Sequence, residues 1–467
     1  MTEPQPRNRT RTRDYFRWDE RHHQPHSDMS QFEKLWVQRS DAGSLLALIG
    51  RNLRHAMPVV RGYRRLAAAP DVERPASVAQ LGIAVSPRVE DFEQTAERVR
   101  ELGAGAVLVR IPCWQPEPVW ALAERLADLR ATGVSLVFDL LQDRAAATDP
   151  ARWGAFVAEA AERLGHLGPA FQIGHAINRK KWGIWHPAEV HRMLDATAPV
   201  RDAHREITWL GPAVIDFEYH VTLSVLAQHR PFDFDGVSAL LYVDRRGSPE
   251  AVQYRHFDLR RKLVLLEALI AASGHGAVPI WLTEFNWPLS GKGAHNPAGQ
   301  AVAVDEERQA SFLTLYALHA LAAVPLAGLF WWQMVARGYG LCDDDPAWRR
   351  RPAFLAFQTL ARQLTGGVKV RALAPRADGL RGFVLRRSDS WTIELHVGEG
   401  HLRVRLPHRT LEVIAAGGDA GGSDAVVRGE DEWLTVTFNP VFVTFDPPSG
   451  AAALAEWGLV AMATRAG

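Results

Sequence analysis

Cysteine is nearly absent: Cys113 and Cys342 are the only two in 467 residues. Two thiols cannot build a disulfide framework, and their separation lacks the spacing of a zinc site. They fit free thiols in a reducing compartment. An excess of either charge is also missing, since 54 basic residues face 53 acidic ones for a net +1. A dedicated nucleic-acid binder wants a basic surplus to neutralise phosphates, so nucleic acid is excluded as the expected partner. Long apolar runs are lacking too. The first, at residues 44–50, is short and meets Arg51, and none has the length of a membrane span. The opening residues are polar and carry no secretory-signal pattern, so the expected location is the cytoplasm. No glycine-rich phosphate turn follows the first strand-like run, and the "GGDAGGSD" stretch (417–424) precedes no helix start. Neither a metal nor a cofactor is expected.

The remaining composition, 47% hydrophobic and 23% charged, is that of an ordinary folded chain. Its length favours one large domain with additions. Sixteen tryptophans stand out. Their flat faces stack well on sugar rings and bases.

Three regions differ in rhythm. Residues 1–75 begin with Arg7, Arg9, Arg11 and Arg13 and continue with Arg51, Arg54, Arg61, Arg64 and Arg65. Leu45, Leu46, Leu48, Ile49 and Leu53 between them could line one helical face. This extension reads as a basic, partly helical segment packed on the main domain, with peripheral contact to the inner face of a membrane left open. Residues 76–366 alternate strand-like and helix-like stretches. The strand-like runs fall at 79–85, 105–111, 134–140, 170–176, 206–213, 234–242, 279–285 and 326–333. Helix-like segments such as "VEDFEQTAERVRELG" separate them. That count, length and alternation match a TIM (β/α)8 barrel, with a doubly wound sheet as the alternative. From 367 to 467 short strand-like runs lie between Gly, Asp, Ser and Pro, as in a small β-sandwich domain with a C-terminal tail.

In such a barrel the loops after the strands form the active face, so polar residues at strand ends become candidates. In order they are Arg110 and Trp114; Asp139 and Asp143; His175 and Asn178; Asp216 and Glu218; Tyr242, Asp244 and Arg245; Glu284 and Trp287; and Trp331, Trp332 and Gln333. One or two would be ordinary capping. A ring of acids, arginines and tryptophans exceeds what packing needs.

"WLTEFNWP" (281–288) resembles the seventh-strand nucleophile motif of clan A glycoside hydrolases, nearest their β-xylosidase and α-iduronidase branch. "GLFWWQ" is similar to their eighth-strand tryptophan platform, "LVRIPCW" to their second-strand arginine, and "FQIGHAINR" to their fourth-strand Asn-Glu motif. The resemblance implies Glu284 as nucleophile, Arg110 as its electrostatic partner, and Trp332 or Trp331 as sugar platform. Trp114, His175, Asn178, Tyr242, Asp244, Arg245 and Trp287 would complete a saccharide site. One departure matters: His175 stands at the Asn position and Ala176 at that of the acid/base glutamate.

Alanine cannot protonate a leaving oxygen, and three arrangements stay open. Glu218 supplies the acid, at about 5 Å from Glu284 for retention or about 6.5–9.5 Å for inversion. Alternatively His175 is the acid. In the third, hydrolysis is lost and the barrel binds carbohydrate or serves envelope-polysaccharide assembly. Arg179, Lys180, Lys181, Arg245, Arg246 and Arg337 near the expected mouth suit an anionic saccharide, or are solvated loop charges. Oligomeric state leaves no mark in the sequence.

Overall fold

The computed structural model describes residues 16–19, 24–27, 29–30, 32–33, 37, 42–168, 170–228, 232–243, 247–292, 300–374, 376–405, 410–417, 433–445 and 461–462. The arginine-rich tip and the expected site residues Asp244 and Arg245 lie outside them. The chain opens with a hairpin, β1 (Phe16–Asp19) and β2 (Gln24–Ser27), followed by helix α1 (Ala42–Ala67) and the short strand β3 (Arg74–Ala76).

Eight parallel strands then close into a barrel: β4 (Leu81–Val85), β5 (Ala106–Pro112), β6 (Ser135–Leu141), β7 (Ala170–Ile173), β8 (Thr208–Ile215), β9 (Gly236–Leu240), β10 (Ile280–Phe285) and β11 (Leu326–Trp331). They are buried on both faces, which is why they read as continuous apolar runs rather than alternating ones. Around them lie α2 (Phe92–Leu102), α3 (Ala123–Ala131), α4 (Pro150–Leu164), α5 (Pro187–Ala203), α6 (Tyr219–Leu226), α7 (Leu259–Ser273), α8 (Glu306–Ala323) and α9 (Pro352–Leu364), besides shorter turns. Aspartates start several of these helices by accepting an otherwise unpaired amide: Asp149 from Arg152, Asp258 from Arg261 and Asp305 from Arg308.

Side chains fill the barrel interior. Leu108, Val137, Leu210 and Phe330 pack together, with Trp281 against them. The backbone of Gly82 approaches the Phe330 ring so closely that a Cβ would fall 2.3 Å from it. A packed lumen leaves the C-terminal ends of the strands as the natural ligand face.

The C-terminal domain contains β12 (Val368–Ala372), β13 (Leu380–Arg386), β14 (Trp391–Val397), β15 (Leu402–Arg405), β16 (Thr410–Ala415), β17 (Trp433–Val436), β18 (Val441–Phe445) and β19 (Ala461–Met462). A six-stranded sheet, ordered β16-β18-β14-β13-β12-β3, packs on a three-stranded one, β17-β15-β19. Leu395 and Val443 from the first meet Val404 and Val436 from the second in a shared core, which makes the domain a sandwich. One strand comes from ahead of the barrel in the chain. β3 pairs antiparallel with β12, Ala76 opposite Val368, so the 75/76 boundary read from sequence falls inside a strand of this sheet. Local patterning could not reveal a partner so distant in the chain.

Helix α1 lies along the outer wall against α6 and α7. Gly62 faces Ala268 closely, Arg51 Nη1 donates to Ser224 Oγ at 2.8 Å, and Asn52 Nδ2 donates to the His220 carbonyl at 2.9 Å. Among the described residues, no helix is long and apolar enough to cross a membrane.

Candidate active site

Neighbouring strands set the base of the site. In the parallel ladder Arg110 of β5 is level with Asp139 of β6, and Asp139 with Gln172 of β7. The pairing of β10 with β11 shifts register between Leu282 and Phe285, and Glu284 sits in that irregularity. Bulges of this kind re-aim a side chain. Here Glu284 joins the Arg110 level.

Glu284 is 6% exposed and held from three directions. Arg110 Nη2 donates to its Oε2 at 2.6 Å, and the Tyr242 hydroxyl donates to its Oε1. His175 Nε2 lies 3.2 Å from Oε2 and 3.0 Å from Arg110 Nη2. On its other side, His175 Nδ1 faces Asp139 Oδ2 at 2.8 Å. As an imidazolium His175 bridges the two carboxylates; as the neutral Nδ1–H tautomer it accepts from Arg110 instead. Gln172 Nε2 donates to Asp139 Oδ1 at 2.6 Å, and Gln142 pins the His175 backbone through both its amide N–H and its carbonyl. Burial pushes the Glu284 carboxyl upward. The His175 hydrogen bond, the Arg110 and His175 charges and the Tyr242 hydroxyl outweigh it and hold the group at about 2. Glu284 is therefore a fixed, ionised carboxylate, the state a nucleophile requires.

The Arg110 guanidinium lies 3.2 Å from the centre of the Trp332 ring, and Trp182 stands 5.7 Å from the same group. Trp332 is thus the mouth tryptophan of the eighth strand. Trp331 and Trp287 face the other way, packing with Phe285 and Tyr316 between the barrel and α8, and the Trp287 indole N–H donates to the Gly247 carbonyl. These two, expected to bind substrate, are buried core side chains. Adjacent residues on a strand point to opposite faces, so only one of the Trp331-Trp332 pair can look inward.

Ala176 is fully buried, with φ 43°. Its methyl packs among Leu141, Trp182, Ala213 and Leu240, with Trp18 and Trp114 against the cluster. Glu218 is engaged elsewhere: Arg179 Nη1 donates to its Oε1 at 2.5 Å and Asn178 Nδ2 to its Oε2 at 2.9 Å. The same arginine pairs with Asp216, and Asn178 clamps both backbone groups of Ile215. Among the described residues Glu218 shares no hydrogen bond or ion pair with Glu284. It lines a cavity of about 520 Å³ between α1 and the loops after β7 and β8, whereas Arg110 borders another of about 310 Å³ at the mouth.

The mouth cavity is lined by Trp18, Arg88, Arg110, Gln115 and Leu141, and is within the size range of small-ligand pockets. Trp18 comes from the N-terminal hairpin. Its ring meets Trp114 edgewise at 4.8 Å and Trp182 at 6.2 Å, while Lys181 Nζ donates to Gln24 Oε1 at 3.2 Å. Arg88 pairs with Asp91, as Arg110 does with Glu284. Among the described residues no cluster of three His, Cys, Asp or Glu side chains could hold a metal ion.

The site expectation omitted Gln172, Trp182 and Trp18. Asp139, named as a strand-end candidate, interrupts an apolar strand at the level where Arg110 interrupts its own. Trp18 had no such signal, because its place over the barrel depends on how the extension folds back.

No protein-family model matches this sequence, and no curated protein matches it by sequence. Solved structures do match in fold. One is a glycoside hydrolase family 30 subfamily 8 xylanase, Xyn30A, from Clostridium acetobutylicum, with TM-score 0.55 and 11% identity over 80% of this chain and 98% of that one. Another is N2152 from Neocallimastix frontalis, with TM-score 0.50 and 10% identity over 80% and 97% of the two chains. At these identities the likeness is one of fold alone.

Proposed function

We propose that the barrel binds a saccharide at the Glu284 mouth, and that its centre is the nucleophile half of a retaining glycosidase site with no proton donor opposite among the described residues. The environment of Ala176 carries this reading. A methyl group enclosed by Leu141, Trp182, Ala213 and Leu240 cannot protonate a leaving oxygen, and Glu218 is committed to Arg179 and Asn178. Glu284 is nevertheless ionised and oriented. Such a centre holds sugar and is glycosylated only by donors whose leaving group departs without protonation.

The test uses 2,4-dinitrophenyl glycosides, whose leaving group needs no acid. Incubation with a matching sugar is expected to give a protein mass increase of one glycosyl unit, mapped to the Glu284 peptide and absent in Glu284→Gln. Oligosaccharides with ordinary linkages are expected to bind without turnover. Turnover of such oligosaccharides would overturn the proposal.

A second reading, hydrolysis with Glu218 as the acid, draws on Asn178. That residue lies two positions after Ala176 and hydrogen-bonds Glu218, which ties Glu218 to the loop that holds the donor in the resembled family. Turnover of oligosaccharides that Glu218→Gln abolishes would establish it.

A further inference from the structure

Helix α1 has two apolar faces, and the protein uses one. Leu48 and Val59 are buried on the side that meets the barrel helices. Leu45, Leu46, Ile49, Leu53, Met57 and Val60 form a second, exposed stripe at three- and four-residue intervals, with Leu45 and Ile49 at its edge bordering the cavity beside the helix. Leu46 and Leu53 are 69% and 71% exposed, the level of charged surface residues rather than of leucines. The stripe runs about 22 Å along the helix at 1.5 Å per residue. Single exposed apolar residues are ordinary, but a continuous row marks a contact surface.

Charge selects the partner. The 26 residues of α1 include five arginines, Arg51, Arg54, Arg61, Arg64 and Arg65, and no acid. Arg51 is turned inward onto Ser224 and His191, while Arg54, Arg61, Arg64 and Arg65 are exposed beside the stripe. A second copy of this helix would bring like charges together with no acid on either helix to offset them. An anionic bilayer supplies what both features want: acyl-chain boundary for the leucines and phosphate headgroups for the arginines.

We infer that α1 is an in-plane anchor that seats the barrel on an anionic lipid surface through the Leu46–Leu53–Met57 stripe. The helix is already formed and braced against α6 and α7, so docking does not require the helix to fold at the membrane. This inference stands apart from the saccharide reading, since neither the stripe nor its arginines touch Glu284.

Co-sedimentation of the full chain with vesicles tests it. Binding is expected to vesicles of phosphatidylcholine with phosphatidylglycerol and not to phosphatidylcholine alone. It should weaken by about tenfold or more as salt rises from about 0.1 to about 0.5 M. The triple variant Leu46→Ser, Leu53→Ser, Met57→Ser should lose it, as should Arg54→Glu with Arg61→Glu. These side chains are exposed, and circular dichroism verifies that each variant is folded. Equal binding to both vesicle types, binding to neither, or undiminished binding by the serine variant overturns the inference. So does a lipid-free dimer that the serine variant dissolves, which would assign the stripe to a second copy.

Discussion

Replacing Ala176 with glutamate should restore the missing half of the site. The backbone cost is already present: Ala176 has φ 43°, and a glutamate with the same Cβ adds little strain to it. The cost lies in volume, because two methylenes and a carboxyl must enter a shell of Leu141, Trp182, Ala213 and Leu240. Overpacking of this kind destabilises by about 1–3 kcal/mol. Relief is available on one side, where Trp18 and Trp114 are only partly buried. The apolar shell also raises the new carboxyl's pKa and keeps it protonated, as a general acid must be. General acid–base assistance contributes about 10²–10⁴ in rate.

The assay compares phenyl and 2,4-dinitrophenyl glycosides of the same sugar. The native chain should accumulate a covalent species with the second and ignore the first. Ala176→Glu should release that species, because the same carboxyl then serves as base for water, and should hydrolyse the phenyl glycoside at about 10²–10⁴ times the native rate. Azide, which needs no base, should release it from the native chain. A folded Ala176→Glu variant that neither clears the intermediate nor cleaves the phenyl glycoside refutes the assignment. If the variant folds poorly, Trp18→Ala in the same background makes the room needed for the comparison.

Three other expectations rest on the same cluster. The Glu284 carboxyl is held at about 2 against an ordinary 4.5, so its contribution to stability is complete above about pH 4.5 and disappears as pH falls toward 2. Urea midpoints measured from pH 6 to pH 3 should therefore fall more steeply for the native chain than for Glu284→Gln. Arg110→Met leaves Glu284 and Asp139 without their shared cation and should cost about 3–5 kcal/mol in urea unfolding. Much of that cost should return in the double variant with Glu284→Gln, and simple additivity would count against a coupled cluster. Trp18→Ala should uncover the mouth, raising the association rate of a saccharide ligand while moving stability by no more than about 1 kcal/mol. A slower association would make Trp18 a binding platform and not a cover.

The barrel was legible because its information is local. Runs such as "GAVLVRI" and "VSLVFDL" carry the continuous apolar pattern of strands buried on both faces, and their observed positions, Ala106–Pro112 and Ser135–Leu141, differ from the runs by one residue. The sandwich strands were legible for the same reason, except β12, β19 and the distant β3. The site was legible in part. Arg110 and Glu284 could be named from strand ends and meet at 2.6 Å, and Tyr242 joins them. Trp287 and Trp331 were misplaced by a single step of strand alternation, which a run of tryptophans does not resolve. Glu218 looked free in "AVIDFEYH" because nothing in that stretch announces that Arg179 and Asn178 will capture it.

By itself, the sequence determined the kind of architecture and the presence of an acid at the end of the seventh strand, since both are written in contiguous residues. It also determined that position 176 cannot donate a proton. The tertiary structure decided the rest, because ionisation and access are set by neighbours that only barrel closure assembles. His175, Arg110 and Tyr242, far apart in the chain, make Glu284 a fixed anion. Arg179 and Asn178 engage both oxygens of Glu218. The folded-back hairpin brings Trp18 against the apolar cluster that encloses the methyl group of Ala176.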